Sequence, residues 1–246
     1  KHFRHHMDND DSVWFMCDEF LQRHPRLVEL IKLLEWFYIP AHDMIMHFIT
    51  VFTAFIIPQR RDQMLRNVMV LVIRGGIWFA VLFTYPKAAL LYLVSYMIMM
   101  HILRFKDGVQ HDYDGNPTLF EEDPPSRYGG RPTEQAHTFS NPESLRYDWP
   151  NYFTLCFGFH NAHHKRPTVP WYDLPAYHRK QFGDDPAGVI PFSVQLRMYH
   201  RYRVQRVTHS GGELDALPTP WEAEYLERAR AGKIYGGNAV SFLNSF

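Results

Sequence analysis

Histidines in this chain fall into two groups of identical spacing, H-x-x-H-H. The groups are His2, His5 and His6, and His160, His163 and His164. Neutral imidazole is the commonest side-chain metal ligand, and positions i, i+3 and i+4 share one face of a helix. Six imidazoles without thiolates therefore predict a site for iron, copper, nickel or zinc.

Chance is the alternative explanation for such a pattern, because the chain has 15 histidines. One H-x-x-H-H group could arise by chance, but two groups on either side of a membrane-like segment favour metal binding. The isolated histidines His42, His47, His101 and His178 are interpreted as structural residues.

The composition restricts the class of protein. A length of 246 residues allows one large or two small domains, and zero formal net charge gives no reason to expect nucleic acid as a partner. Two cysteines without a pairing pattern favour a reducing compartment for the polar parts. Mean hydropathy of −0.32 beside 46% hydrophobic residues indicates a protein that is part membrane and part aqueous.

Two apolar stretches come early in the chain. Residues 26–39 repeat leucine, isoleucine and phenylalanine at helical spacing, which predicts an amphipathic helix that packs on protein or lies in a membrane interface. Residues 44–57 are apolar but short for a membrane span, which predicts an interfacial, re-entrant or buried helix.

Residues 67–85 and 88–103 are the best candidate spans, and with only Pro86 and Lys87 between them they form a helical hairpin. Positive charges flank the hairpin at Arg60, Arg61, Arg66, Arg104 and Lys106. The positive-inside bias puts both flanks, and both histidine groups, in the cytoplasm. Arg74 lies inside the first span and is expected to pair with a carboxylate in a part of the protein upstream of residue 1, with a lipid headgroup as the alternative partner.

The remainder of the chain is polar. Residues 105–150 are rich in proline and glycine and predict a long connection. Residues 151–164 predict a helix that ends in the second histidine group, and the basic stretch from Arg197 to Arg206 predicts a solvated or headgroup-facing surface.

The expected class is thus an all-α integral membrane protein with a cytoplasmic helical cap that carries the histidines. Its expected segments are 1–43, with the first histidine group and the amphipathic helix; 44–104, the membrane-associated part; 105–180, the loop and second histidine group; and 181–246, the C-terminal cytoplasmic tail.

Three stretches carry a resemblance to a known family. They are KHFRHH at 1–6, FHNAHHKRPTVPWYDLPAYH at 159–178, and LRFKDGVQHDY at 103–113, just after the second candidate span. With the hairpin between the histidine groups, the chain resembles the membrane fatty acid desaturase superfamily, which includes related hydroxylases. The stretches look like that family's second histidine box, its third box, and its segment with an extra histidine.

The resemblance implies an iron-ligand set. It comprises His2, His5, His6, His160, His163 and His164, with His111 as the additional ligand and His137 as the alternative to it. The family's first box, H-x(3–4)-H, lies upstream of its second box, and the second box here already starts at His2, so the chain resembles a fragment and we expect the first box shortly upstream of Lys1.

The resemblance also implies a reaction. It is O₂-dependent desaturation of a fatty acyl chain at two non-heme irons, on an acyl group linked to a lipid, CoA or a carrier protein. Electrons would come from ferredoxin or cytochrome b5. Oxygen insertion by a hydroxylase or an alkane, sterol or carotenoid oxygenase is the nearest alternative. A non-catalytic metal-binding membrane protein is a further one, although structural zinc needs only four ligands.

Overall fold

The structure is a computed structural model that describes residues 21, 23–56, 58–111, 135–183, 188–208 and 222–236. Eight α-helices of six residues or more are defined within these ranges, and no strand is present there beyond two isolated bridges. The all-α prediction is confirmed for this part of the chain. His2, His5 and His6 lie outside the described residues.

Helix α1 spans Pro25–Trp36 and confirms the predicted amphipathic helix. Proline suits its first turn, where a backbone N–H would have no partner within the helix. Its buried face packs Val28 and Ile31 against Ala41 and Val207, so one side of the helix does pack on protein.

Helix α2 spans Ala41–Ile56, beginning three residues earlier than the apolar stretch predicted. Asp43 lies in its first turn, where a carboxylate favours the positive end of the helix dipole. A 3₁₀ helix at Pro58–Gln63 follows and leads into the hairpin.

The hairpin consists of α3, Met64–Thr84, and α4, Pro86–Asp107. Pro86 begins α4 directly after Tyr85, which makes the tight turn that the sequence predicts. At 21 and 22 residues, each helix is about 32 Å long, close to the hydrocarbon thickness of a bilayer.

Both hairpin helices are long and apolar enough to cross a membrane, and among the described residues neither is buried as the core helix of a soluble protein would be. The most apolar part of the first is 0% buried inside the protein and that of the second is 17% buried. Side chains such as Phe83 and Leu91 are exposed. A surface of this kind is expected to face lipid.

Four shorter helices form the polar part that follows α4, together with its connecting segments; we call this part the cap. They are α5, His160–Lys165; α6, Leu174–Phe182; α7, Phe192–Arg201; and α8, Glu222–Arg230. One apolar cluster joins Phe139, Ile190, Met198 and Tyr225, and a second packs Phe159 on α6.

A buried ion-pair cluster joins the end of the hairpin to α1 and α2. The Arg104 guanidinium donates to both carboxylate oxygens of Glu35, at 2.7 and 2.9 Å, and to Asp43. Burial alone would raise the pKa of Asp43, but Arg104 and His42 hold it below its usual range. Arg104 is therefore held in buried ion pairs within the protein and is not a solvent-exposed charge at the flank of the hairpin.

One prediction in this region is wrong, and another holds only in part. Residues 151–164 are not one helix: a 3₁₀ helix, Trp149–Thr154, is followed by left-handed backbone at Leu155 and Cys156 before α5 begins. The basic stretch is not wholly solvated, because Arg206 is buried with its guanidinium 4.4 Å from the centre of the Tyr199 ring.

Candidate metal centre

Helix α5 carries the second histidine group and buries most of its surface. His160 and His164 are one helical turn apart, so they project from the same face, and their ring centroids are 4.4 Å apart. Phe159, directly before α5, is buried on α6 and holds the helix against the cap. The local fold thus turns two imidazoles inward.

A third imidazole approaches from the end of α4. His111 Nε2 lies 2.7 Å from His160 Nε2, and the His111 ring centroid is 4.7 Å from those of both His160 and His164. At most 4% of each side chain is exposed. One ligand nitrogen from each of the three lies within 4.8 Å of the others.

His111 is positioned by contacts from two distant parts of the chain. It forms an isolated antiparallel bridge with Thr138. The Tyr225 hydroxyl donates a 3.0 Å hydrogen bond to the His111 carbonyl oxygen, and the Tyr225 ring stacks on Phe139. The last described helix, α8, therefore helps to orient this imidazole.

Asn141 ties the end of α4 to the segment before α5. Its side-chain amide donates to the Lys106 carbonyl at 2.7 Å, and its carbonyl oxygen accepts from Gln110 at 2.9 Å. Gln110 also donates to the Phe157 carbonyl, and the Asn141 backbone N–H donates to Gly158. These bonds set the distance between His111 and His160.

Close packing at Gly158 reinforces that spacing. A Cβ added there would lie 2.6 Å from the Pro142 Cα and 2.7 Å from the Asn141 carbonyl oxygen. Both are backbone atoms, so neither can move aside as a flexible side chain would. Glycine is needed here for close approach of two backbone segments.

The donor set of this cluster fits a metal ion. Metal–nitrogen distances of about 2 Å allow the ligand nitrogens of one ion to lie up to about 4 Å apart, and those of the three imidazoles all lie within 4.8 Å of one another. Two ring nitrogens at 2.7 Å either share a proton or direct their lone pairs at a common cation. Imidazole ligands without a thiolate suit iron, copper or zinc.

The sequence that forms this cluster matches a known protein family. Residues 1–195 match the model of the family described as Fatty acid desaturase, which is most of the chain. The chain belongs to the fatty acid desaturase family. No match was found among curated proteins or among solved structures.

Membership in the desaturase family implies an oxidoreductase of the desaturase or hydroxylase type that is membrane-associated and uses non-heme iron. The two apolar helices and the buried histidine cluster fit that description. Tyr225 and α8 lie beyond the matched residues, although they contact the cluster.

Of the predicted ligands of this desaturase-family protein that the structure describes, some lie in the cluster and others lie outside it. His111, His160 and His164 form the cluster. His163 is half-buried, with its ring centroid 6.1 Å from that of His160 and 6.2 Å from that of His164. His137 is buried but is not a member of the group of three.

Sequence reasoning missed the residues that support the desaturase-family cluster. Gln110 is adjacent to His111 in the quoted motif, but its two hydrogen bonds reach residues 31 and 47 positions away. Asn141-Pro142 signalled only a turn. Lys106, assigned to the positive flank, is buried in an ion pair with Glu143 at 2.7 Å.

Proposed function

We propose that this protein desaturates a fatty acyl chain with O₂ at a histidine-ligated pair of non-heme irons, using electrons from a separate donor. The observation that carries the proposal is the buried cluster of His111, His160 and His164, in which His111 lies just beyond the end of a helix long and apolar enough to cross a membrane. Family membership supports the same reaction type.

The chemistry explains why imidazoles and a metal would be used. A methylene C–H is not acidic, so a general base cannot remove its hydrogen. Bound iron, together with O₂, supplies the oxidising power for that step. In the balanced reaction, a –CH₂–CH₂– unit, O₂, two electrons and two protons give –CH=CH– and two molecules of water.

The described residues would hold one part of the iron site and exclude water from it. His111, His160 and His164 would be imidazole ligands in a buried setting. His163 projects outside this group, which suits a role toward a second ion, and His2, His5 and His6 would complete the set. Asn141 and Gln110 would maintain the ligand spacing through their hydrogen bonds.

The substrate would reach this site from the membrane. Helices α3 and α4 are apolar and exposed along most of their length, so an acyl chain would stay in apolar surroundings until it reaches the end of α4. The electron donor is expected to be ferredoxin or cytochrome b5, and the acyl carrier is a lipid, CoA or a carrier protein.

The orientation that fits the charge distribution places the histidine cluster on the cytoplasmic side. Arg61 and Arg66 are exposed at the start of the hairpin, whereas Lys87 alone marks its tip. Arg104 and Lys106 are buried in ion pairs, so they add less to the orientation than the sequence suggests.

Substitution of a clustered ligand tests the metal role. His164→Ala is expected to lower bound iron and abolish lipid oxidation, because the cluster loses a buried ligand. His200→Ala is the matched control, since His200 is exposed on α7. Iron is measured by mass spectrometry of the purified protein. Retention of both iron and turnover in His164→Ala would contradict the ligand role.

Isotope labelling separates desaturation from oxygen insertion. With ¹⁸O₂, a desaturase places both oxygen atoms in water, whereas a hydroxylase leaves one in the lipid product. Label in the lipid would favour the hydroxylase or oxygenase alternative. Metal uptake with no O₂ consumption, in the presence of lipid and reductant, would favour a non-catalytic metal-binding protein.

A further inference from the structure

A short segment of the cap exposes several large apolar side chains. Trp149, Tyr152, Phe153 and Leu155 are all exposed, and Phe153 reaches 81%. One exposed apolar residue is ordinary in a soluble protein, but a contiguous group marks an interaction surface. We call residues 149–155 the aromatic segment.

The backbone of the aromatic segment is held in place. Asn151 is fully buried and donates from its side-chain amide to the carbonyls of Ser144 and Tyr147. Leu155 and Cys156 both adopt left-handed backbone, and the Cys156 N–H donates to the Asn151 carbonyl. A defined polar scaffold therefore presents these apolar side chains outward.

Ring contacts join the segment to neighbouring aromatics. Trp149 packs edge-on against Phe153 with ring centroids 6.1 Å apart, and Tyr152 packs against Trp171 at 6.0 Å. Trp171 in turn contacts Tyr172, which is also exposed. These contacts form two ring groups that start from the adjacent residues Tyr152 and Phe153 of the aromatic segment.

The aromatic segment adjoins the end of a candidate membrane span. Thr154 donates to a Glu143 carboxylate oxygen at 2.8 Å, and the same oxygen lies 2.7 Å from the Lys106 ammonium in the last turn of α4. One carboxylate thus separates the aromatic segment from the helix. The segment lies where a spanning α4 would leave the hydrocarbon.

A second aromatic group flanks the same helix end. The Tyr38 carbonyl accepts a hydrogen bond from His101 of α4, and Trp36 and Phe37 beside it are exposed. This second group follows α1, which is bound to α4 by the ion pair between Glu35 and Arg104. Arg104 and Lys106 are two positions apart in α4, so their side chains leave the helix about 200° apart. The two groups therefore flank α4 on opposite sides.

Basic side chains accompany both aromatic groups. The exposed Arg146 guanidinium lies 5.0 Å from the Tyr147 ring centre, and that of Arg203 lies 5.5 Å from the Trp36 ring centre. Tryptophan and tyrosine are enriched at membrane–water interfaces, and arginine meets lipid phosphate there. This composition suits a lipid surface better than an acidic protein.

We propose that the aromatic segment lies in the headgroup region of the bilayer that holds the hairpin, and so binds the cap to the membrane surface. The proposal rests on the membrane-spanning role of the hairpin proposed above. Contact on both sides of α4 would hold the histidine cluster at a constant height above the acyl chains.

Fluorescence quenching by lipid-borne nitroxides tests the placement. Single cysteines are introduced by Phe153→Cys, Ile98→Cys and Ala176→Cys, each with Cys17→Ser, and labelled with a nitrobenzoxadiazole dye. The buried Cys156 is expected to stay unlabelled, since burial raises the pKa of its thiol to about 11. The full chain is reconstituted in phosphatidylcholine–phosphatidylglycerol vesicles.

We expect a nitroxide near the headgroup to quench the label at 153 several-fold more than the label at 176, an exposed position on α6. Ile98 is exposed on α4 and reports on the hairpin itself, through quenching by a deep nitroxide.

Quenching at 98 without quenching at 153 would overturn the proposal and leave the hairpin in the membrane. Quenching at neither position would overturn both. Shielding of the 153 label only when a soluble electron donor is added would assign the surface to a protein partner and would also overturn the proposal.

Discussion

Helices α3 and α4 expose leucine, isoleucine and phenylalanine along most of their length, whereas the cap encloses histidine, asparagine, glutamine and lysine. No residue of α3 is buried, but His111, His164, Gln110 and Asn141 are completely buried. In water this would be an inverted arrangement, because apolar burial stabilises folds and polar burial costs free energy unless every group is bonded.

This contrast indicates that the hairpin is suited to lipid, whereas the cap is suited to holding a polar site. An apolar exterior is tolerated in lipid, where polar groups would be costly. A polar interior is tolerated where it serves a site and its members bond to one another. Substitutions of the same type should therefore have opposite consequences in the hairpin and the cap.

The largest effect is expected for the cap histidines. His111→Ala should reduce iron content and lower turnover by roughly 100-fold or more, because it removes a ligand, whereas loss of a residue that only supports a ligand costs 10–100-fold. His137→Ala, at another buried histidine, should retain iron. Iron analysis and product chromatography distinguish them, and the reverse result would assign the role to His137.

Arginine gives a comparison within the hairpin, between the buried end of α4 that contacts α1 and α2 and the exposed length of α3. Arg104→Met should lower the free energy of unfolding by about 3–5 kcal/mol, because Glu35 and Asp43 would stay buried without their cation. Arg74→Met, at an exposed position within α3, should leave stability unchanged or raise it. Denaturant titration in detergent measures both, and equal losses would contradict the contrast.

Two glycine substitutions, one in the cap and one in α3, should change stability by a smaller amount. Gly158→Ala should destabilise the protein by about 1–3 kcal/mol, because the new Cβ meets the Asn141 and Pro142 backbone. Gly76→Ala in α3 has no heavy atom within 4 Å of its Cβ and should be neutral or stabilising. Thermal unfolding compares the two. A neutral Gly158→Ala would mean that these segments are not packed as described.

The last effect concerns pH and is similar in size to that of the glycine pair. His178 is buried between Phe159 and Phe182, and burial, with Arg179 nearby, lowers its pKa from 6.5 to about 4. The unfolded state therefore binds the proton more readily, so His178 lowers stability by about 2 kcal/mol as pH falls from 7 to 5.

His178→Phe should remove that part of the pH dependence while keeping the aromatic packing. Unfolding of both proteins at pH 7 and pH 5 is the measurement. An unchanged pH dependence in the variant would show that other groups are responsible for it.

The helices of the hairpin and α1 could be predicted because apolar periodicity acts locally. The break at Leu155 and Cys156 could not, since neither residue type favours left-handed backbone. The burial of Arg104 depended on Glu35 and Asp43, which are 69 and 61 residues away.

In the candidate site, too, some residues could be predicted from the sequence and others could not. His160 and His164 followed from helical spacing, and His111 followed from a resemblance to the family. The sequence did not predict the supporting roles of Asn141, Gly158 and Tyr225, because each role depends on contact with a residue distant along the chain. His2, His5 and His6 remain predictions.

The hydrogen bond from Tyr225 to His111 spans 114 positions and comes from beyond the family match. During synthesis on the ribosome, the histidine-bearing segments emerge well before this tyrosine. The position of His111 is therefore completed only after α8 has emerged and docked, which is later than the emergence of both segments that carry the clustered histidines.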